Sequence, residues 1–299
     1  VQRALSILNS TRFDAPLPRE LALSQVHARS GLDFERARAR VGFARGHLLD
    51  VVVYLPGGNG HALETEAAEE LVQLLVGEEL FERWIGNVVA TPTVRGGLLT
   101  VINESAEDRS ALPLDTLLES VRAAIAGLKR GLEQSPFACG SSSEDWFAFE
   151  LSPEPAADYA AQDDLLFCTT RVPEPKKCFL HGERFFSGRF TASSALFTYL
   201  KYDTNETSFE ARLAERSKFE QLIERIIPIR DGTMVGFGLG RRYGYIDLLL
   251  ADPDCARQRL LPALRGASIS KQSWVLFCDT ELNSEFLPVY SDSPRPFGG

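Results

Sequence analysis

The sequence offers little to metal or disulfide chemistry. Its five cysteines, Cys139, Cys168, Cys178, Cys255 and Cys278, are odd in number and form no C-x-x-C pair, which argues against a disulfide framework and a structural zinc site. Histidine occurs only four times, and the H-E-x-x-H spacing that sets two imidazoles on one helix face is missing. Also missing are the G-x-S-x-G elbow of serine hydrolases and a phosphate-loop lysine motif. No apolar run approaches the ~20 residues needed to cross a bilayer. We therefore expect no catalytic residues, no metal, no cofactor and no membrane contact. Three Asn-x-Ser/Thr sequons, at Asn9, Asn103 and Asn205, point toward secretion. Cysteines without a pairing pattern point the other way, and a reducing cytoplasm is the expected location.

What is present reads as ordinary globular protein. Hydrophobic residues make up 44% and charged residues 24% of 299 positions, enough for two modest cores. The net charge of -9 is unevenly spread. Residues 1–45 hold eight arginines against four acids, residues 46–151 six bases against seventeen acids, and residues 192–290 twelve against thirteen. An acidic body of this kind repels phosphate, so nucleic acid is not an expected partner.

Periodicity divides the chain into five segments. Residues 1–45 read as an N-terminal appendage, helical around Glu20 to His27, and then either helical or extended where Arg36, Arg38 and Arg40 alternate with Ala37, Ala39 and Val41. Residues 46–151 read β-α-β-β-α-β. "LLDVVVYL" opens as a β-branched strand, "PGGNG" breaks it, and an amphipathic helix follows. "WIGNVVATP" and "GLLTVINE" are strands, an apolar stripe from Leu114 to Leu132 marks a second helix, and "DWFAFEL" closes the unit. Residues 152–191, punctuated by Pro153, Pro155, Pro173 and Pro175, form a connector too aromatic at "CFLHGERFF" to float free.

Residues 192–290 repeat the order: "ALFTYLKY", a helix through Phe209, Leu213, Phe219, Ile223 and Ile227, "TMVGFGL", "YGYIDLLL", a helix opening at Asp252-Pro253, and "SWVLFCD". Residues 291–299 are a tail. The first strands share Tyr-Leu (Tyr54, Tyr199) and the last share Trp-x-x-Phe (Trp146, Trp274). The expected fold is α+β: two tandem ferredoxin-like halves with antiparallel sheets.

One stretch, "GLGRRYGYIDL" at residues 238–248, invites a functional reading. As a dinucleotide loop it fails, because the third glycine is absent and a strand follows where a helix should. Residues 241–248 do resemble the RNA-recognition octamer at Arg241, Tyr243 and Gly244, which would imply base stacking on Tyr243 and Tyr245. Arg242, Leu248 and Asp247 depart from that pattern. The plainer reading is a hairpin in which Gly236, Gly238 and Gly240 line one face and admit a close neighbour. The candidate ligand or partner face is Tyr199, Lys201, Arg241, Tyr243, Tyr245 and Asp247, with His181 and Glu183 of the connector beside it. The expected function is a non-catalytic binding or regulatory protein whose partner is another protein. A small-molecule enzyme with a pocket between two sheets and an RNA-binding module are the alternatives.

Overall fold

The computed structural model describes residues 14–92, 111–132, 146–204, 206 and 208–296. They are mixed α+β, with two antiparallel-rich sheets, and divide after Gly131 into two compact units.

In the first unit, helix α1 (Arg19–Ser30) buries Ala22, Leu23 and Val26 and stops at Gly31, whose left-handed φ of 72° lets its N–H reach His27 O. The Arg/Ala alternation that follows is extended. It forms strand β1 (Arg38–Phe43), with Ala39 buried. Strand β2 (Leu49–Leu55) pairs antiparallel with β1, and helices α2 (Ala62–Val76) and α3 (Glu78–Trp84) lead to β3 (Ile85–Pro92). β4 (Leu112–Pro113) pairs with the other side of β1 and precedes helix α4 (Leu117–Gly131). The sheet order is β3-β2-β1-β4, with β2 and β3 parallel and adjacent.

This differs from the expected first half in three ways. The supposed appendage supplies an inner strand of the sheet. The α2–α3 crossover lays β3 directly against β2, so no strand is inserted between them. The expected closing strand, β5 (Phe147–Glu150), pairs with β6 in the other sheet. The expected strand "GLLTVINE" lies outside the described residues. Tyr54 and Tyr199 consequently have different strand neighbours. Trp146 precedes an edge strand, whereas Trp274 sits on a strand paired on both sides, so neither anchor pair marks equivalent positions. The loop after β2 is self-sealed: the buried Glu64 carboxylate accepts N–H bonds from Asn59 (3.0 Å) and Gly60 (2.7 Å), which hold it below the usual carboxylate range.

The second unit carries one antiparallel sheet, ordered β11-β10-β7-β9-β8-β6-β5. Its strands are β5, β6 (Leu165–Thr170), β7 (Leu196–Asp203), β8 (Gly232–Gly240), β9 (Tyr243–Leu250), β10 (Ser273–Phe277) and β11 (Phe286–Pro288). From β7 to β10 the element order is the β-α-β-β-α-β expected for residues 192–290, and the fourth strand lies beside the first. One face is covered by helix α6 (Phe209–Ile226) and by a helical stretch at 253–266. Pro262 does not end that stretch. The turn before it widens to a π segment, Ala256–Leu260, and Leu261 N–H reaches back to Ala256 O. Phe219, Ile223, Leu260 and Leu264 pack there on Leu200, Tyr202, Ile246 and Leu248. The first-turn Phe209, expected inward, is instead 54% exposed and lies against Phe167.

The connector covers the opposite face. Tyr159, together with Leu165 and Cys168 of β6, clusters with Tyr199, Tyr243, Tyr245 and Trp274, while Cys178 and Phe185 pack on Phe197, Val235 and Leu249. Every residue of β9 is therefore buried, which is why "YGYIDLLL" shows no polar alternation. The chain after β11 also packs, because Trp274 donates its indole N–H to Pro294 O at 2.7 Å.

Candidate functional site

The glycines of β8 fix how closely the connector can lie. None of Gly236, Gly238 and Gly240 has positive φ, so their value is space. A Cβ at Gly236 would stand 2.8 Å from Asp247 Oδ2, and one at Gly238 would meet Leu165 Cδ2 at 2.5 Å and Cys168 Cβ at 3.0 Å. At Gly240 it would fall 2.3 Å from Asp164 Cγ. The stripe thus makes room for two carboxylates, those of Asp164 and Asp247.

Asp164 holds the hairpin turn between β8 and β9. Its Oδ2 accepts the backbone N–H groups of Arg242 (2.8 Å) and Tyr243 (2.9 Å), and its Oδ1 accepts the Tyr245 hydroxyl. Its carbonyl takes Arg241 N–H at 2.8 Å. The turn amides of Arg242 and Tyr243 are thus taken up by a side chain of the protein itself. Tyr243 donates its hydroxyl to Asp158 at 2.8 Å, and Asp158 also faces Arg242 at 3.5 Å. Burial pushes both tyrosine hydroxyls above the usual phenol range, and their carboxylate partners add to it.

Lys201 lies under this layer, fully buried, donating from Nζ to Tyr159 O at 2.5 Å and sitting 4.2 Å from the Tyr243 ring centroid. Burial lowers its pKa to about 8, against the pull of Asp164, Asp158 and Asp163. Asp247 belongs to a second buried network. Lys176 of helix α5 (Pro173–Leu180) reaches Asp247 Oδ2 at 2.8 Å and Gln162 Oε1 at 2.5 Å, and Gln162 Nε2 closes the triangle on Asp247 Oδ1 at 2.8 Å. Burial alone would lower the Lys176 pKa, but the Asp247 charge outweighs it and holds the ammonium above its ordinary range.

Between the 151–165 segment, α5 with the loop after it, and the β7–β10 surface lies a half-open cavity of about 710 Å³. Its lining includes the apolar Leu165, Phe179, Tyr199 and Leu276, the polar Cys278 and Gln162, and the charged Asp163, Glu183 and Arg184. Burial drives the Tyr199 phenol and the Cys278 thiol well up, so both stay protonated at neutral pH.

The candidate residues thus fall into three groups. Tyr199 and Glu183 line the cavity. Lys201, Tyr243, Tyr245 and Asp247 lie beneath the connector, and neither tyrosine offers an open ring face. Arg241 projects from the turn, bonded through Nε to Pro153 O at 3.0 Å, and His181 is exposed with its ring 3.9 Å from Glu183. Sequence reasoning missed Gln162, Asp163, Asp164 and Lys176. One signal was available for Lys176: Pro173 and Pro175 open a helix, where proline is well tolerated, and do not merely punctuate a loop.

Among the described residues, no group of three or more His, Cys, Asp or Glu side chains could hold a metal ion, and no helix is long and apolar enough to cross a membrane. No family model, curated protein or solved structure matches this chain.

Proposed function

We propose that the chain is a non-catalytic binding protein and that its ligand is a small molecule seated in the cavity between the connector and the sheet. The observation that carries this reading is the cavity itself. Its size falls within the ~300–1,000 Å³ of small-molecule sites, and it pairs an apolar wall with a few polar groups. The absence of chemistry rests on the lining. The thiol and phenol that could act as nucleophile or acid are held neutral, and the described lining holds no histidine to activate them. A small ligand takes the place of the expected protein partner here, because most of the candidate face is already covered by the chain's own connector. The ferredoxin-like order of β7–β10 serves as the rigid floor.

A ligand-observed NMR fragment screen tests this reading, run in parallel on the wild type and on Leu180→Trp, which fills the cavity from α5. Hits that disappear in a Leu180→Trp protein of unchanged melting temperature support it. Hits that persist in the plugged variant, or that are chemically converted, count against it.

A further inference from the structure

The geometry points to a specific ligand class for this cavity: an amphiphile with a protonated amine and an apolar body, the amine held by Asp163 and the body lying on Tyr199, Leu276 and Phe179. This rests on the cavity being the ligand site. Three side chains of the lining carry charge, and two of them have partners. Glu183 faces His181, and Arg184 makes interactions of its own. The Asp163 carboxylate has no hydrogen bond or ion pair among the described residues, although its backbone N–H is fixed on Ala160 O.

Two neighbours aim it. Asp164 is fully occupied by the hairpin turn and Tyr245, and Gln162 is tied into the Lys176–Asp247 network, so both flanking side chains point into the protein. Ala161 adopts a left-handed φ of 37°, which a residue with a Cβ seldom accepts, and this bend places 160–163 along the cavity. Nearby charge has the right sign. Among the charged groups of the cavity's described lining, Asp163 and Glu183 outnumber Arg184, leaving one net negative charge. Partial burial outweighs the pull of Lys201 and raises the pKa of Asp163, whose exposed side chain has no cation in contact with it among the described residues. A protonated amine supplies that cation and donates to the carboxylate, a charge-assisted bond of the stronger kind.

The test uses three probes of one shape: 2-phenylethylamine, 2-phenylethanol and 3-phenylpropionate. Each is titrated calorimetrically at neutral pH into the whole chain, into Asp163→Asn and into Leu180→Trp. We expect the amine to bind roughly tenfold tighter than the alcohol, the carboxylate to bind weakest, and Asp163→Asn to make amine and alcohol equal. Leu180→Trp should abolish all three. If the alcohol or the carboxylate binds as well as the amine, and the plug still abolishes binding, the amine assignment fails while the cavity stands. If Asp163→Asn, with an unchanged melting temperature, keeps the amine preference, the anchor is misassigned. If none of the probes binds, the ligand site fails and this inference fails with it.

Discussion

Replacing Lys176 by methionine is the sharpest perturbation of the scaffold. It keeps the length of the side chain and removes the cation that touches the Asp247 carboxylate. The two side chains are 5% and 12% exposed and lie 2.8 Å apart. At an effective dielectric of 20 their attraction is about 6 kcal/mol. Desolvating both ions consumes most of that, so the pair contributes little relative to a well-packed apolar replacement. Breaking it from one side is different. Asp247 would stay buried with a single remaining donor, Gln162 Nε2 at 2.8 Å, and losses of this kind run to ~3–5 kcal/mol. The surviving bond places Lys176→Met near the lower end, about 3 kcal/mol. The double variant Lys176→Met/Asp247→Leu removes this buried ion pair but leaves the Gln162 amide without either partner, so it should cost about 1–3 kcal/mol, less than the two single variants summed. Hydrogen exchange of β7 and β9 amides across a urea series reads this sheet separately from the other unit. A cost below ~1 kcal/mol for Lys176→Met, or single-variant costs that simply add in the double, would refute the reasoning.

Adding a methyl group along the glycine stripe should overpack it, at ~1–3 kcal/mol, with Gly240→Ala costing more than Gly238→Ala. At Gly240 the methyl displaces the carboxylate that holds the turn, whereas Leu165 Cδ2 can swing away at Gly238; equal urea midpoints would contradict this. The depressed pKa of Lys201 means that, between pH 8 and its unfolded value of 10.5, the unfolded chain binds the extra proton. Stability of wild type relative to Lys201→Met should therefore rise with pH across that window, and a flat difference would argue against burial of the ammonium. Glu64 has its pKa lowered in the fold, so its contribution is present above 4.5 and lost as pH falls through the folded value. In Glu64→Gln the acid-side loss of stability of the first unit should shrink, as followed by exchange of β2 amides.

The parts of the fold that were legible in the sequence are those where one element decides its own pattern. The Leu117–Val121–Ile125 stripe forms the buried side of α4, and the Ser208 cap starts α6 by accepting Ala211 N–H at 3.2 Å. Pairing between distant strands was not legible. "DWFAFEL" reads as a strand in either sheet, and only the partner at Leu165–Thr170 decides which one it joins. The duplication inferred from Tyr-Leu and Trp-x-x-Phe failed for the same reason, since local anchors carry no information on neighbours. Of the expected face, Tyr199 lines the cavity and Asp247 lies in the buried Lys176–Gln162 network. Gln162 and Lys176, the partners of Asp247, and Asp164, the partner of Tyr245, come from a Pro-rich, polar stretch in which nothing local shows that the side chains turn inward.

The most direct measurement of the central claim is a crystal structure of the protein soaked with 2-phenylethylamine. The account predicts the phenyl ring against Tyr199 and Leu276 and the ammonium within hydrogen-bond distance of Asp163. A probe found only elsewhere on the surface, with the cavity holding nothing but water, would contradict it.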